Sequence, residues 1–254
     1  MNAMIFAAGL GTRLQPLTNK CPKALVEIEG YTLLDIALRK MQKLGIQRVI
    51  VNVHHHAEQI ISFLNNYKSG DTEILISDER DFLMDTGGGL LKAKHLFIKD
   101  LPILIYNVDI LTNANIPKLI DYHSNSNNLV SLFTQNRSAS RYLLFDENDG
   151  LCGWQNPKTG EEKWSVIPKS VSKKGYNCIQ VINYELLSLL NTSGAFPIIP
   201  AYIDLAATHK IGCWNDDNAK WFDIGTLSKM DDALNHLKLC SVAEKSLFSD
   251  VWRK

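Results

Sequence analysis

The chain has 254 residues, 45% of them hydrophobic, with 27 basic and 27 acidic side chains. That balance leaves no overall field to draw in nucleic acid or an anionic membrane, so any local basic lip points to a small anionic ligand. Cys21, Cys152, Cys178, Cys213 and Cys240 are odd in number and scattered, with no C-x-x-C, which argues against a disulfide frame or zinc site and for reduced thiols in the cytoplasm. No basic n-region precedes the first apolar run, and no stretch approaches roughly 18 apolar residues, so neither a signal peptide nor a membrane span is expected.

Residues 3–8 read AMIFAA, too short for a helix, and Gly9 and Gly11 break the run at once. A buried strand leading into a loop is predicted. Leu33, Leu34, Ala37, Leu38, Met41 and Leu44 recur at helical spacing before Gly45, predicting a helix over 33–44. Strands at 48–53, 73–76 and 103–106 then alternate with helices at 57–64, 88–97 and 116–123. The alternation predicts an α/β fold: a doubly wound, mixed but mostly parallel sheet in three α/β/α layers. Such folds bind ligands beyond the C-terminal strand ends. Past Leu129 the pattern changes, to strands at 129–134, 142–145 and 176–182, a polar hairpin excursion over 146–163 and a helix at 184–190. A short strand into a turn begins at Trp221, and Met230 and Leu234 face the core from the last long helix. No internal repeat is present.

The loop after the first strand carries the clearest chemistry. Gly9 and Gly11 let backbone N–H groups approach an anion closely. Arg13 adds a fixed cationic fork, and Lys23 a second charge after Pro22. Two carboxylates, Asp109 and Asp223, follow short strands at the same predicted edge and suit a shared Mg²⁺ completed by substrate oxygens. Either can instead cap a helix, as Thr112 and Thr226 also can. Asp85-Thr86-Gly87-Gly88-Gly89 reads as a backbone nest or close-approach surface at a helix start.

Ala8-Gly9-Leu10-Gly11-Thr12-Arg13-Leu14, Pro16-Leu17-Thr18 and Pro22-Lys23 together resemble the signature of the sugar-1-phosphate nucleotidylyltransferases. Two rival motifs fail: Leu14 stands where a dinucleotide fingerprint needs its third glycine, and no G-K-[ST] closes a P-loop. Asn107-Val108-Asp109 and Trp221-Phe222-Asp223-Ile224-Gly225-Thr226 match the family's two metal motifs in order, with Val108 where many members carry Gly or Ala. The glycine segment, followed by Lys92-Ala93, is similar to the N-acetylmuramate-1-phosphate uridylyltransferase subgroup. The family's Ser-Gly-Ile, on the strand facing the sugar, is replaced by Asn177-Cys178-Ile179.

The resemblance covers essentially the whole chain, in the short form without a hexapeptide β-helix. It implies one catalytic domain over 1–254: a nucleotide-binding half (1–128), a sugar-binding half (129–240) and a C-terminal tail (241–254). The implied reaction joins an NTP, UTP or GTP, to a sugar 1-phosphate and releases pyrophosphate, with Mg²⁺ as cofactor. Gly9, Gly11, Thr12 and Arg13 would hold the terminal phosphates, and Lys23 the α-phosphate. Asp109 and Asp223 would hold the metal. Ala8, Thr86, Gly87 and Gly88 would seat the base, and Asn177 and Cys178 would face the sugar. A monomer or small homo-oligomer is expected, without nucleic-acid or membrane partners. Two other readings stay open: a mannose-1-phosphate guanylyltransferase, and a non-catalytic nucleotide-sugar-binding regulator. Adjacent histidines 54–56 alternate faces and read as a surface loop, not one metal site. Trp154, Trp164 and Tyr176 read as core or lid packing, and Lys158, Lys163, Lys169, Lys173 and Lys174 as a solvated face.

Overall fold

Alternate residues of the first strand, β1 (Asn2–Phe6), enter opposite apolar layers: Ala3 and Ile5 one, Met4 the other. A computed structural model describes residues 1–252 around this strand. The two-residue strands β2 (Glu27–Ile28) and β3 (Tyr31–Thr32) pair before α1 (Leu33–Lys43), which the Thr32 hydroxyl caps by accepting from the Asp35 N–H at 3.0 Å. Then follow β4 (Arg48–Val53), α2 (Ala57–Asn65), β5 (Glu73–Asp78), α3 (Asp85–Lys92), β6 (Ile103–Asn107), β7 (Ile110–Thr112) and α4 (Ile116–Ser124). The second half holds β8 (Val130–Gln135), β9 (Tyr142–Phe145), β10 (Leu151–Asn156), β11 (Glu161–Trp164) and β12 (Ser172–Ile182). It continues through α5 (Leu186–Leu189), α6 (Ile198–Leu205), β13 (Ile211–Asn215), β14 (Trp221–Asp223), α7 (Leu227–Leu239) and α8 (Val242–Phe248).

A ten-stranded mixed sheet runs β11-β10-β9-β12-β6-β1-β4-β5, with β8 and β13 branching from β12. Its β6-β1-β4-β5 portion is parallel, and β12 joins it antiparallel along β6. Helices α1, α2, α4, α7 and α8 cover one face; α3, α5 and α6 cover the other. The three-layer α/β/α expectation holds. Phe6 and Asn107 end neighbouring strands at one edge, and the loops leaving that edge build the site.

Several predicted elements shift. The helix expected at 88–97 starts earlier, at Asp85, and gives way to a 3₁₀ turn over Ala93–Leu96. The helix at 184–190 shrinks to the single turn α5. Strand β13 was not foreseen, since IGCWN is too short to show a period. On α7 the fully buried residues are Ala233 and Leu237, while Met230 and Leu234 pack half-buried beside them.

The expected tail is folded as far as it is described; residues 253 and 254 lie outside the described part. Ser241 and Glu244 form a capping box on α8, and a 3₁₀ turn over Asp250–Trp252 buries Val251 and Trp252. Trp252 meets Tyr31 edge-on at 6.1 Å, and the Ser249 hydroxyl donates to the Ile36 carbonyl at 3.2 Å. Two ion pairs, Lys43–Asp250 at 2.9 Å and Lys245–Glu29 at 2.6 Å, flank this contact. Three buried apolar side chains, Phe248, Val251 and Trp252, were too few to register as a pattern.

Inside the same brace lies a charge that the core disfavours. Lys40 of α1 is buried, and its ammonium donates to the Thr112 carbonyl of β7 at 2.7 Å. Burial pushes its pKa down from the ordinary 10.5 to about 7; Lys43 pushes the same way and Asp250 opposes. Between those two values the unfolded chain binds more protons at this residue than the folded one, so stability rises with pH across that window and not below it. Urea titrations from pH 6 to 10 should show that slope, up to about 1.4 kcal/mol per pH unit, and Lys40→Met should flatten it. Trp252→Ala should lower unfolding free energy by about 3 kcal/mol in the same assay, whereas a loose tail would leave it unchanged.

Candidate active site

From the end of β1 the chain makes three 3₁₀ turns, Thr12–Leu14, Leu17–Asn19 and Lys23–Leu25. Gly11 enters the first at φ +65, a left-handed conformation. A Cβ there would also stand 3.0 Å from the Thr18 side chain and 3.1 Å from that of Lys23. Glycine is therefore required, and the loop closes tightly enough to bring Lys23 back over the strand end. The Ala7 and Ala8 amides are taken by the Asn52 carboxamide oxygen, at 2.7 and 3.3 Å. Among the described residues, the N–H groups from Gly9 to Arg13 donate to no acceptor, and the exposed Arg13 guanidinium has no ion-pair partner. A run of free amides with a free guanidinium is an anion lip.

Asp109 and Asp223 come together through a separate two-stranded ladder. β14 pairs antiparallel with β7, Asp223 opposite Ile110, and the Ile224 N–H donates to the Asp109 carbonyl at 2.8 Å. The Tyr106 hydroxyl donates to the Ile110 carbonyl at 2.8 Å and closes the turn that carries Asp109. Val108 is buried in that turn, its N–H bonded to the Phe6 carbonyl at 3.1 Å, and it borders the cleft without displacing the acids. Each acid holds a lysine: Asp109 pairs with Lys23, and Asp223 with Lys229 at 2.5 Å. A Cβ on Gly225 would meet the Asp223 Oδ1 at 2.6 Å and the Arg13 Nη2 at 3.2 Å. The lip and both acids therefore surround one space.

A cleft of about 420 Å³ opens beside it, lined by Ala8, Gly9, Lys23, Asp109 and Thr86, with Asn52, Glu79, Leu83 and Ala195 among its other walls. Glu79 is fully buried; its carboxylate accepts from the Asn52 Nδ2 at 2.7 Å and from the Met84 N–H at 3.0 Å. It locks the segment between β5 and α3. Neither residue carried a sequence signal beyond a polar side chain ending an apolar strand.

Gly87 and Gly88 form a close-approach surface, one of the two readings of the glycine run. Both are buried within α3, and their amides donate to the Phe196 carbonyl at 2.8 and 3.3 Å. A Cβ on Gly87 would sit 2.2 Å from the Phe196 ring, and one on Gly88 2.3 Å from the Gly194 carbonyl oxygen. These glycines admit a neighbouring chain segment. Thr86 does border the cleft, although its hydroxyl accepts from the Ile198 N–H at 3.0 Å.

The sugar-facing pair also divides. Asn177 is fully buried and turns inward: its Oδ1 accepts from the Arg137 Nε at 2.8 Å. Cys178 is half-buried at φ +58. Arg137 further donates to the Tyr176 carbonyl at 2.8 Å and lies 4.1 Å over the Trp221 ring, while the indole donates to the Asn177 carbonyl at 2.9 Å. Arg137 and Lys229 were missed because both act through contacts that no local motif marks. Among the lysines expected on a solvated face, Lys163 pairs with Asp204 at 2.5 Å, and Lys174 is largely buried against Asp149 at 3.0 Å. The His54 Nδ1 donates to the Glu79 carbonyl, 2.7 Å away, at the start of the histidine loop.

No cluster of three or more His, Cys, Asp or Glu side chains suited to a metal occurs among the described residues. Asp109 at the cleft and Asp223 at the end of the adjoining ladder still fit Mg²⁺, which is commonly held by one or two carboxylates with water and substrate phosphates. The two lysines compensate the same charge. No helix among the described residues is long and apolar enough to cross a membrane.

Comparison with known proteins bears on family and fold. Residues 2–147 match the family model described as nucleotidyl transferase. The N-acetylmuramate alpha-1-phosphate uridylyltransferase of Caulobacter vibrioides is 41% identical over 109 residues, 42% of this chain and 45% of that protein. The mannose-1-phosphate guanyltransferase of Debaryomyces hansenii is 31% identical over 127 residues, 50% of this chain and 35% of that protein. These matches span less than half the length of either relative. The solved UDP-glucose pyrophosphorylase of Acinetobacter baumanii superposes with a TM-score of 0.76 at 16% identity, over 94% of this chain and 93% of that one, and so shares the fold. The family model covers more than half the chain, and the chain belongs to the nucleotidyl transferase family.

Proposed function

We propose that this protein transfers a nucleotidyl group from UTP or GTP to a sugar 1-phosphate, releasing pyrophosphate. The observation that carries the reading is the convergence of the Gly9–Arg13 lip, the Lys23–Asp109 pair and Asp223 on one space. A sugar phosphate oxygen attacks the α-phosphorus, the new P–O bond forms as the bond to the β-phosphate bridging oxygen breaks, and the pyrophosphate carries the electron pair away. A phosphate monoester is ionised near neutral pH, so no general base is required, and catalysis reduces to positioning and charge neutralisation.

The free amides of Gly9 and Gly11, with Thr12 and Arg13, hold the β- and γ-phosphates of the leaving group. Lys23 neutralises charge building on the α-phosphate. Ala8 and Thr86 border the base, with Asn52 and Glu79 stiffening that wall. Asp109 and Asp223 would hold Mg²⁺, which would supply charge neutralisation to the reacting phosphates. Lys229 keeps Asp223 compensated when no ligand is present. Cytoplasmic action as a monomer or small homo-oligomer is part of the proposal; all five cysteines are free, as in a reducing compartment.

Pyrophosphate release, measured with each NTP against a panel of sugar 1-phosphates with and without Mg²⁺, tests the reading. Turnover with a uridine or guanosine pair is expected, and tight binding without turnover would favour a nucleotide-sugar regulator instead. Asp109→Asn and Lys23→Ala should each lose about 100-fold or more in kcat while circular dichroism and melting temperature show the fold retained. Near-normal turnover in either variant would refute the assignment.

A further inference from the structure

β12 runs antiparallel to β6 with Ile179 opposite Tyr106, which carries Cys178 to the strand edge where Asp109 stands. Its register against β8 slips there: Tyr176 pairs with Thr134 and Gln180 with Leu132, so Asn177, Cys178 and Ile179 stand against Phe133 alone. The resulting bulge puts Cys178 at φ +58, where a β-carbon costs about 1 kcal/mol or more and glycine costs nothing comparable. Three interlocking contacts hold the bulge in place: Arg137 to the Asn177 carboxamide, Arg137 to the Tyr176 carbonyl, and the Trp221 indole to the Asn177 carbonyl. Trp221 begins the strand that ends in Asp223. The chain thus fixes a strained side chain firmly beside the two acids.

The side on which it stands decides its use, and this step rests on the nucleotidyl-transfer reading. The cleft lies among the ends of β1, β4, β5 and β6 and the start of α3, while the sheet order sets β12 on the far side of β6. With the nucleotide filling the first side, an acceptor in line with the departing pyrophosphate has the β12–β14 side left to it. The Cys178 thiol makes no hydrogen bond or ion pair among the described residues while its backbone is held by its neighbours, so its contribution is bulk.

We propose that the Cys178 side chain, clamped in its bulge by Arg137, Asn177 and Trp221, is the wall that limits the size of the sugar 1-phosphate accepted at this site. Cys178→Gly removes the wall and the left-handed strain together, so it should fold at least as well as the parent. The test compares kcat/KM for a plain hexose 1-phosphate with that for ring-substituted hexosamine 1-phosphates. Cys178→Gly should raise the bulky-to-plain ratio by roughly tenfold, with KM for the NTP unchanged. Cys178→Ser, close in size, should keep the parent ratio; a shift as large as that of Cys178→Gly would assign the effect to sulfur chemistry and overturn the wall. An unchanged ratio in Cys178→Gly would also overturn it. If the parent shows no turnover, the transfer reading falls, and the ratio is then taken from calorimetric affinities for the same sugar 1-phosphates: a rise in Cys178→Gly supports the wall, and no change overturns it.

Discussion

Two neighbouring carboxylates repel each other, and the ladder between β7 and β14, with the Asp109 carbonyl bonded beyond its end, holds Asp109 near Asp223 against that repulsion. The hydrogen bond from the Ile224 N–H to the Asp109 carbonyl extends the ladder to the acids themselves. Compensation comes from Lys23 and Lys229, which approach from a loop and from the first turn of α7. The Lys229 side chain remains nearly half exposed, so its pair adds little to stability. Easy exchange suits such a contact: an incoming cation can replace a lysine on its carboxylate, or a phosphate can take the lysine over, without unfolding anything.

The lip follows a complementary logic. Free N–H groups from Gly9 to Arg13 would be costly inside the core, but this loop is mostly exposed and water satisfies them when no anion is present. Their direction is fixed from beneath, because Asn52 absorbs the Ala7 and Ala8 amides and the buried Glu79 orients Asn52. Glu79 in turn accepts from the Met84 N–H, joining the lip's foundation to the start of α3. In the proposed transfer, preorganised donors would need no rearrangement as charge develops, which is where most of their value would lie.

Much of this was legible in the sequence wherever structure follows from neighbours along the chain. The first strand, its glycine loop and the alternation of strands and helices through residue 124 are local patterns, and the structure reproduces them. The two acids could be named from their short motifs. Sequence could not show that the lysines at 23 and 229 would sit on them, or that Asn177 would turn inward, since Arg137 lies forty residues away along the chain. The glycine run was legible as a close-approach surface but its partner was not: the approach at Gly87 and Gly88 comes from the 194–196 segment, more than a hundred residues later. The C-terminal helix and turn were unreadable because a single tryptophan and two other apolar groups anchor them.

These long-range contacts also explain how a small ladder keeps its geometry. At one end of β7 the Thr112 carbonyl accepts the Lys40 ammonium, and the Thr112 hydroxyl donates to the Lys220 carbonyl at 2.6 Å. Beside β14 the Trp221 indole is tied to the bulge of β12. The pair of strands is therefore held from α1 on one side and from the main sheet on the other. An apolar residue at position 40 could fill the same volume without desolvating a charge, yet it could not donate to a carbonyl on a strand that has no sheet neighbour beyond β14. A buried lysine is a poor choice for stability and a good one for placement, and α1 is in turn pressed down by Trp252 and Ser249 from the chain's far end. The last described residues thus bear on the position of Asp109 through α1 and β7, and none of those residues lines the cleft.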